Sequence, residues 1–335
     1  MSTPIPATAA PIPAYGDRVR GCMLGGAIGD ALGAGIEFDK IDQIRREHGE
    51  TGVTGYVPAY GMLGAVTDDT QMVLATVAGI LADGTDRVPD PPLAVHAAYL
   101  RWWRIQTSRY VAGGSWVDAL PLMASSRAPG NACMSGLESG QLATRTSPVN
   151  PDSKGCGTVM RSAPFGLLPW LDPAQAFTYA TVASDLTHGH PTARTSAGAL
   201  AMLVRHLLGG MQLAEAITAT IVWLAERGQA DSVETVRALR AAVELADSGA
   251  PQTPETLARL GLGWVAEEAL AISVWCALVR EHDPAQALLL AVNHSGDSDS
   301  TGAITGNIIG AAHGEIWPRA VGQRQRGLRR HPAPG

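Results

Sequence analysis

Two short acidic segments near opposite ends of the chain carry the residue types best suited to chemistry. Thr67–Thr70 reads Thr-Asp-Asp-Thr, and Asp297–Thr301 reads Asp-Ser-Asp-Ser-Thr. Carboxylates this close in sequence repel one another unless a cation lies among them. Because hard oxygen donors without nearby Cys or paired His suit Mg²⁺, Mn²⁺ or Ca²⁺ better than zinc, the two segments predict a hard-metal site that long-range folding closes.

The first segment also has a purely structural interpretation. Thr67 or Asp68 is well placed to cap a helix that begins near Gln71, where acidic side chains favour the helix dipole. The two interpretations are compatible, because ligands at the start of a helix are held firmly. From these residues alone, capping and metal binding both stay open.

The second segment matches two other patterns less well. An EF-hand loop that starts at Asp297 needs a bidentate Glu at its twelfth position, where this chain has Ile308. The pattern Asp-x-Asp-x-Thr also belongs to haloacid-dehalogenase-type phosphatases, in which the first Asp is the nucleophile. That motif should end a buried strand early in an α/β chain, whereas here Asn293–Gly296 precedes it near the C-terminus. The phosphatase hypothesis therefore stays only as an alternative.

Helical periodicity dominates the elements that must position these segments. Asp231 and Ser232 precede an amphipathic run from Val233 to a stop at Ser248–Gly249, which predicts a capped helix. Comparable runs predict helices at Leu93–Arg104, Ala193–Leu208, Leu213–Arg227, Pro254–Leu260, Val265–Arg280 and Pro284–Val292. Alternating aromatic and β-branched runs are scarce, and no hairpin signal stands out. We therefore predict an all-α fold.

Glycine spacing and one long segment add expectations about packing and loops. Gly21, Gly25, Gly29 and Gly33 recur every four residues, so on a helix they form one stripe. Each glycine weakens a helix interior by roughly 0.5–1 kcal/mol, so the stripe predicts a close helix crossing. A dinucleotide fingerprint fits worse, since no strand precedes the stripe and the spacing is not GxGxxG. Met123–Lys154, rich in Ser, Gly, Pro and Asn, predicts a long irregular connection with a functional role.

Composition is that of a soluble globular protein. The 335 residues are 46% apolar with a mean hydropathy of +0.06, and no run of about 18 apolar residues predicts a membrane span. Four scattered cysteines without a CxxC pair favour a reducing cytoplasm, and a net charge of −6 argues against nucleic-acid binding. We expect one domain over residues 15–320, a flexible N-terminal tail over 1–14 that is not a signal peptide, and a basic C-terminal tail over 321–335.

Several motifs together resemble the ADP-ribosylglycohydrolase family, which includes dinitrogenase-reductase-activating glycohydrolases and ADP-ribosylarginine hydrolases. Gly296–Gly302, followed by a helix of small residues, is similar to the family's C-terminal metal motif. The other matching segments occur in the family's order along nearly the whole chain: Gly29–Glu37, Thr67–Met72, Gly155–Arg161, Thr187–Pro191 and Gly263–Leu270. One such motif is weak, whereas the ordered set is specific.

The resemblance implies a compact all-α fold with two divalent cations, Mg²⁺ or Mn²⁺, in a cleft. The implied ligands are Thr67, Asp68 and Asp69 for one ion and Asp297 and Ser300 for the other, with Asp299 bridging both. Ser300 directly follows the second Asp, so it matches the family's hydroxyl ligand better than Thr301 does. Two dications would balance four carboxylates, and a pair about 3.5–4 Å apart can activate water.

The resemblance also implies substrate-binding and catalytic residues. The implied phosphate loop, which would act through backbone N–H groups, is Ser153, Lys154, Gly155, Cys156, Gly157 and Thr158. His188 would contact substrate, and the candidate catalytic carboxylates are Glu37, Asp69 and Asp299, of which Glu37 matches the family's mobile Glu. Other residues are interpreted structurally: Cys156 as a loop residue that is not a nucleophile, His190 as capping or packing, and Trp264, Glu267 and Glu268 as helix packing.

The implied reaction is hydrolysis of the glycosidic bond between C1″ of ADP-ribose and a protein side chain, through an oxocarbenium-like centre. The Gly-Cys-Gly loop and Ser300 are closer to the arginine-directed branch of the family, so arginine is the favoured acceptor, and serine and other linkages stay open. The implied partner is an ADP-ribosylated protein or ADP-ribose derivative that a monomer would bind, without nucleic acid or membrane. A non-enzymatic relative that binds ADP-ribose is the main alternative.

Overall fold

The computed structural model describes residues 13–82, 91–107, 114–227 and 230–317. Within these ranges the chain forms fourteen α-helices, numbered in chain order. They are α1 Tyr15–Gly33, α2 Ile41–His48, α3 Asp68–Ile80, α4 Pro91–Gln106, α5 Asn131–Glu138, α6 Ala163–Gly166, α7 Pro173–Asp185, α8 Pro191–Leu208, α9 Leu213–Glu226, α10 Val233–Asp247, α11 Pro254–Leu257, α12 Ala266–Val279, α13 Pro284–Val292 and α14 Ser298–His313. Short 3₁₀ turns lie at Trp116–Ala119, Pro121–Met123, Cys156–Thr158, Ala230–Ser232 and Ala258–Leu260. The predicted all-α fold is confirmed.

Most helix predictions agree with the observed bounds to within a few residues. α13 has the predicted bounds, and α12 is one residue shorter than predicted at each end. Of the predicted helix Pro254–Leu260, only the first four residues form α11, and the rest is a 3₁₀ turn. Ser232 does precede α10, but its side chain does not cap the helix; the hydroxyl donates to the Leu224 carbonyl at 3.3 Å.

One short hairpin is present, although no hairpin signal stands out in the sequence. Strands β1 Pro58–Ala59 and β2 Met62–Leu63 pair antiparallel. Tyr60 and Gly61 between them have φ of 49° and 77°, the left-handed conformation that tight two-residue hairpin turns require. Because each strand has only two residues, the sequence contains no alternation from which to predict it.

The segment Met123–Lys154 is less irregular than predicted. Helix α5 interrupts it, and the remainder includes an isolated bridge between Thr144 and Ser147. Gly136 lies in α5, where an added Cβ would be 2.7 Å from the Thr187 Cα. Close packing therefore requires a glycine at this position, although glycine lowers the helix propensity of the segment. The segment is therefore a packed connection with its own helix.

The core surrounds three helices, α8, α12 and α14, that are buried along most of their length. After its first turn α12 is apolar on nearly every side, which is typical of a helix in a protein core. One cluster joins these helices to α9 and α10 around the fully buried Trp275, and a second packs α3, α4 and α7 around Trp102 and Phe165. The starts of α3 and α14 are thus held by rigid packing.

The glycine stripe of α1 packs directly against α14, which confirms the predicted helix crossing. A Cβ added at Gly21 would lie 2.2 Å from a backbone oxygen of Gly314, and one at Gly29 would lie 2.0 Å from that of Gly302. At the end of α1, a Cβ on Gly33 would lie 2.4 Å from the backbone nitrogen of Asp299. The stripe therefore fixes the start of α14 against the end of α1.

The predicted tails, 1–14 and 321–335, lie outside the described residues apart from Pro13 and Ala14. A single domain over residues 15–320 stays a prediction. Among the helices that the structure describes, none is long and apolar enough to cross a membrane.

Candidate active site

The starts of α3 and α14 meet at one cavity of about 580 Å³, a volume typical of small-molecule sites. The side of the cavity that we call the acidic wall consists of Glu37, Asp68, Asp69, Asp297, Asp299 and Ser300. The side that we call the donor wall consists of Ser153, Gly155, Cys156, Gly157 and His188. The mouth and floor include Phe38, Ala128, Pro129, Gly130, Asn131, Ala132, Cys133, Met160 and Trp264. The fold thus brings both acidic segments into one site.

The first acidic segment both caps a helix and lines the cavity. Thr67 is the N-cap of α3, and its hydroxyl oxygen accepts a hydrogen bond from the Asp69 N–H at 3.2 Å. The Asp68 carboxylate accepts from the Gly130 N–H at 3.3 Å. Asp69 Oδ2 is buried and has no hydrogen-bond partner among the described residues. The capping interpretation is confirmed, and it leaves a carboxylate oxygen of Asp69 available to a ligand.

The Asp30 carboxylate positions the first acidic segment through hydrogen bonds, a role that no local sequence pattern predicts. Its carboxylate accepts hydrogen bonds from the backbone N–H of Thr67 at 2.9 Å and of Thr70 at 3.1 Å. Asp30 is fully buried, and burial together with the negative charge of Asp299 raises its pKa to about 7. Because Asp30 belongs to α1, the same helix fixes the positions of both acidic segments.

The second acidic segment starts α14. Asp297 is the N-cap, and its carboxylate accepts from the Ser300 N–H at 3.3 Å, while the Asp299 carboxylate accepts from the same N–H at 3.0 Å. Ser300 lines the cavity. Thr301 instead lies in the core, where its hydroxyl oxygen is 2.7 Å from the Ala291 carbonyl oxygen. Ser300 rather than Thr301 therefore faces the carboxylates.

The acidic wall has the chemistry of a cation site. Glu37, Asp297 and Asp299 each offer an oxygen within 4.8 Å of the others. Burial, reinforced by neighbouring carboxylates, raises the pKa of Glu37 to about 10 and that of Asp68, Asp69 and Asp297 well above the usual range. Glu37 Oε2, like Asp69 Oδ2, is buried without a partner in the described chain. Hard oxygen donors with unmet acceptor capacity fit a hard divalent cation.

The predicted phosphate loop is only partly exposed to the cavity. Lys154 Nζ forms ion pairs with Glu267 and, at 2.9 Å, with Glu234, and it is not part of the cavity lining. The Thr158 hydroxyl is buried and donates to the Ala193 carbonyl at 3.1 Å. The side chains of Lys154 and Thr158 therefore lie away from the site, whereas the other members of the loop lie on the donor wall.

The predicted use of every backbone N–H in this loop also needs correction. The Ser153 N–H donates to the Asn150 carbonyl at 2.9 Å, and the Cys156 N–H donates to the Trp264 carbonyl at 3.2 Å. Within the described chain, the N–H groups of Gly155 and Gly157 have no such acceptor. Among the loop residues that line the cavity, these two glycines are therefore the ones whose N–H groups remain for an anionic ligand.

Cys156 lies between the two walls. Its sulfur is 2.7 Å from Asp297 Oδ2 and 3.6 Å from the Ser300 hydroxyl. Burial and the charge of Asp297 raise the pKa of the Cys156 thiol well above its usual range. Because the thiolate is the reactive form, this environment agrees with a loop residue that is not a nucleophile.

The two histidines of the His motif have different roles. His190 is the N-cap of α8, and its ring nitrogen accepts from the Thr192 N–H at 3.1 Å, so the capping interpretation is confirmed. His188 lines the cavity, and its Nδ1 lies 2.7 Å from the Thr187 hydroxyl oxygen. Burial and the positive charge of Arg161 lower the pKa of His188 to about 3, which keeps its imidazole neutral.

Trp264 lies at the mouth of the cavity, so its interpretation as helix packing is wrong. Its ring stacks on that of Phe38 with centroids 6.0 Å apart and an interplanar angle of 16°. Trp264 precedes α12, which begins at Ala266, and its side chain is exposed. Glu268 does have a structural role, since it accepts from the Leu262 and Gly263 N–H groups.

Comparison with known proteins agrees with the geometry. A family model described as ADP-ribosylglycohydrolase matches residues 11–326. The chain belongs to the ADP-ribosylglycohydrolase family. The chain is 26% identical to a solved structure described as an ADP-ribosylglycohydrolase-related protein complex, with a TM-score of 0.60 and 91% of each chain covered.

Two relatives have informative names. The chain is 30% identical to the ADP-ribosyl-[dinitrogen reductase] glycohydrolase of Rhodospirillum rubrum over 59% of its own length and 60% of the relative's. It is 27% identical to the ADP-ribosylarginine hydrolase Tri1 of Pseudomonas putida, covering 89% of its own chain and 71% of that protein. Family and relatives together support a hydrolase that acts in ADP-ribosylation.

The phosphatase alternative has no structural basis. Asp297 follows α13 and caps α14, and in the described chain the only strands are β1 and β2, far from it in sequence. A nucleophilic Asp of that kind should follow a buried strand.

Proposed function

We propose that this ADP-ribosylglycohydrolase removes ADP-ribose from modified protein side chains, with arginine as the favoured acceptor. The observation that carries the proposal is the pairing of an acidic wall with a donor wall in one cavity. ADP-ribose has ribose hydroxyls at one end and a diphosphate in the middle. Cations on the acidic wall suit the hydroxyls, and N–H donors on the donor wall suit the diphosphate.

The acidic wall would hold two divalent cations, Mg²⁺ or Mn²⁺. In this proposal Thr67, Asp68 and Asp69 would hold one, Asp297 and Ser300 would hold the other, and Asp299 would help to hold both. When bound, such cations act as Lewis acids and lower the pKa of water. The unpartnered oxygen of Asp69 and the raised pKa values of its neighbours support this proposal, because buried carboxylates need compensating positive charge.

The protein's own groups would position the ligand and move protons. In hydrolysis, a water oxygen bonds to C1″, the bond from C1″ to the acceptor nitrogen breaks, and that nitrogen takes up a proton. Glu37, Asp69 and Asp299 are the candidate carboxyls to hold or accept these protons. Glu37 lies on the acidic wall with a carboxyl oxygen that has no partner in the described chain, so it would be placed to hold a proton as the general acid. The remaining carboxylates would stabilise positive charge at C1″.

Arginine is proposed as the acceptor from two independent observations. The Pseudomonas putida relative carries the name ADP-ribosylarginine hydrolase. The Gly-Cys-Gly loop at Gly155–Gly157 and Ser300, which are closer to the arginine-directed branch of the family, line the same cavity.

A panel of substrates tests the proposal. The full chain, loaded with Mn²⁺, is incubated with arginine-linked and serine-linked ADP-ribosylated proteins, and released ADP-ribose is quantified. We expect release from the arginine linkage to be the faster of the two. Asp297→Ala should lower it by at least about 100-fold, because a charged group in a buried metal site is lost.

Asp283→Ala is the matched control for this variant. Asp283 also caps a helix, with its carboxylate accepting from the Gln286 N–H at 3.2 Å, but it does not line the cavity. Its loss should cost stability by about 0.5–2 kcal/mol and leave the rate within about twofold. Binding of ADP-ribose without release from any linkage would instead support the non-enzymatic alternative.

A further inference from the structure

A chain of hydrogen bonds leads from the buried Arg161 to the donor wall. Arg161 is 1% exposed, and its guanidinium lies over the Tyr99 ring at 4.6 Å. Nη2 donates to the Thr187 hydroxyl oxygen at 2.6 Å, and Nη1 contacts the Cys133 sulfur at 3.3 Å. The guanidinium is thereby fixed in place behind the cavity.

The Thr187 hydroxyl can bond in only one arrangement that satisfies both of its neighbours. A guanidinium has donors and no acceptor, so the hydroxyl oxygen accepts from Arg161. The same oxygen lies 2.7 Å from His188 Nδ1, and Thr187 is fully buried. If His188 Nδ1 carried a proton, the Thr187 hydroxyl hydrogen would have no acceptor among the described residues. The hydroxyl hydrogen therefore points to His188 Nδ1, which acts as the acceptor.

A neutral imidazole that accepts at Nδ1 carries its proton on Nε2. We propose that Thr187 is a positioning residue that fixes His188 as an Nε2–H donor for a phosphate oxygen of the ligand. The identity of the ligand rests on the proposed function. The tautomer of His188 follows from the hydrogen bonds alone and does not depend on that function.

The direction of the Nε2 edge supports this proposal independently. A Cβ added at Gly155 would lie 3.2 Å from His188 Nε2, and one at Gly157 would lie 3.4 Å from its Cε1. The Nε2 edge therefore faces the two glycines whose backbone N–H groups remain available. His188, Gly155 and Gly157 thus lie beside one another in the cavity lining, and a ring N–H next to two backbone N–H groups without a backbone acceptor suits an anion.

The nearby guanidinium also favours this assignment. Arg161 brings a positive charge close to His188, which disfavours the imidazolium form. A neutral donor beside a buried cation recognises an anion and does not exchange protons with it. His188 then has a role in binding rather than in acid–base chemistry.

Nuclear magnetic resonance of the full chain loaded with Mg²⁺ tests the tautomer of His188 directly. Long-range ¹H–¹⁵N spectra of protein labelled at histidine distinguish a protonated from an unprotonated ring nitrogen, and His188→Gln identifies the signal among nine histidines. We expect Nε2 to be protonated in the unmodified chain and in Thr187→Ser, and a mixture of tautomers in Thr187→Val. A protonated Nδ1 in the unmodified chain would overturn the proposal, and this result needs no variant to fold.

Binding provides the second readout. Thr187→Val should raise the Kd for ADP-ribose and the KM for modified protein by about ten-fold or more. The kcat should change less than about threefold, because the contact of His188 with the phosphate is the same in the bound substrate and in the transition state. Thr187→Ser should restore both values to within about threefold. Thr220→Val is the matched control, since Thr220 is buried and its hydroxyl donates only to its own helix, at the Ala216 carbonyl, 2.8 Å away. An unchanged Kd in Thr187→Val would contradict the role in binding.

Failure of the proposed function gives a different pattern. If ADP-ribose binds but no linkage is hydrolysed, the proposed function is wrong, and the His188 tautomer and the effect of Thr187→Val on the Kd still test the role of Thr187. If ADP-ribose does not bind at all, it is the wrong ligand for the proposed function and for the proposed contact with His188.

Discussion

The two walls of the cavity are built in opposite ways. The acidic wall consists of side chains at the starts of two helices, which α1 clamps through Gly33 and Asp30. The donor wall consists mainly of backbone in a glycine loop, backed by the Arg161–Thr187–His188 chain. One wall has an excess of buried acceptors, and the other has an excess of donors.

This difference shows what each wall requires from a ligand. Buried carboxylates with raised pKa values need positive charge, so the acidic wall is incomplete without protons or cations. On the donor wall, the N–H groups of Gly155 and Gly157 have no backbone acceptor in the described chain, so they remain for an anion. A ligand that carries a diphosphate and binds through cations meets both requirements at once.

Asp30→Asn should disturb the acidic wall without changing the donor wall. We expect its effect on activity to exceed those of Gly33→Ala and Phe38→Ala. It removes the charge behind Thr67 and Thr70 without changing the shape of the side chain. Residues that orient metal ligands typically contribute 10–100-fold to metal affinity or activity, and we expect a loss of roughly that size. Calorimetric titration with Mn²⁺ and the rate of ADP-ribose release measure it.

The control for Asp30→Asn is Asp185→Asn. Asp185 is also a buried aspartate, but it pairs with Arg194 at 3.2 Å and does not line the cavity. Its replacement should destabilise the fold and leave the Kd for Mn²⁺ within about threefold. An equal loss of Mn²⁺ affinity in both variants would remove Asp30 from its positioning role.

Gly33→Ala should separate the two halves of the acidic wall. The added methyl group would lie 2.4 Å from the Asp299 backbone nitrogen, so α14 must shift. We expect a loss of about 1–3 kcal/mol in the free energy of unfolding, measured with denaturant. Gly16→Ala, on the same helix but 3.6 Å from only a flexible Arg20 side chain, should be neutral or slightly stabilising. Equal stability of the two variants would contradict the close crossing.

The acidic wall should also make stability depend on pH in the absence of divalent cations. The folded pKa of Asp30, about 7, lies above its ordinary value of 3.8, and that of Glu37, about 10, lies above 4.5. Both groups therefore contribute stability at low pH that is lost as the pH rises through these folded values. Between pH 5 and pH 8 their contribution falls.

Added Mn²⁺ should reverse this loss, because it binds the deprotonated carboxylates. We expect the increase in Tm on adding Mn²⁺ to be larger at pH 8 than at pH 5, as measured by thermal denaturation at both values. The same increase at both pH values would mean that these carboxyls do not bind the cation.

Phe38→Ala should have the smallest effect, because it touches only the mouth between the walls. Its stacking on Trp264 is of a kind that contributes about 0.5–1.5 kcal/mol. We expect the KM for modified protein to rise about two- to tenfold with little change in kcat. Trp170→Ala, at another exposed aromatic residue away from the cavity, is the control. A fall in kcat with constant KM would show that Phe38 acts on Glu37 instead.

Local signals were sufficient for the helices and for part of the site. The predicted bounds of α13, the cap at Thr67 and the crossing at the glycine stripe depend on residues close in sequence, and all are confirmed. The role of Asp30 was not predictable, because it depends on contacts with residues 37 to 40 positions away. The same holds for Cys156, whose N–H is occupied by the carbonyl of Trp264, a residue distant in sequence.

Hydrolysis with and without divalent cations shows whether the acidic wall acts through bound metal ions. The full chain is incubated with arginine-ADP-ribosylated protein in Mn²⁺ or, after chelation, in EDTA, and released ADP-ribose is measured. If the acidic wall acts through bound cations, release should fall at least about 100-fold in EDTA and return when Mn²⁺ is restored. Equal release in both conditions would contradict the account.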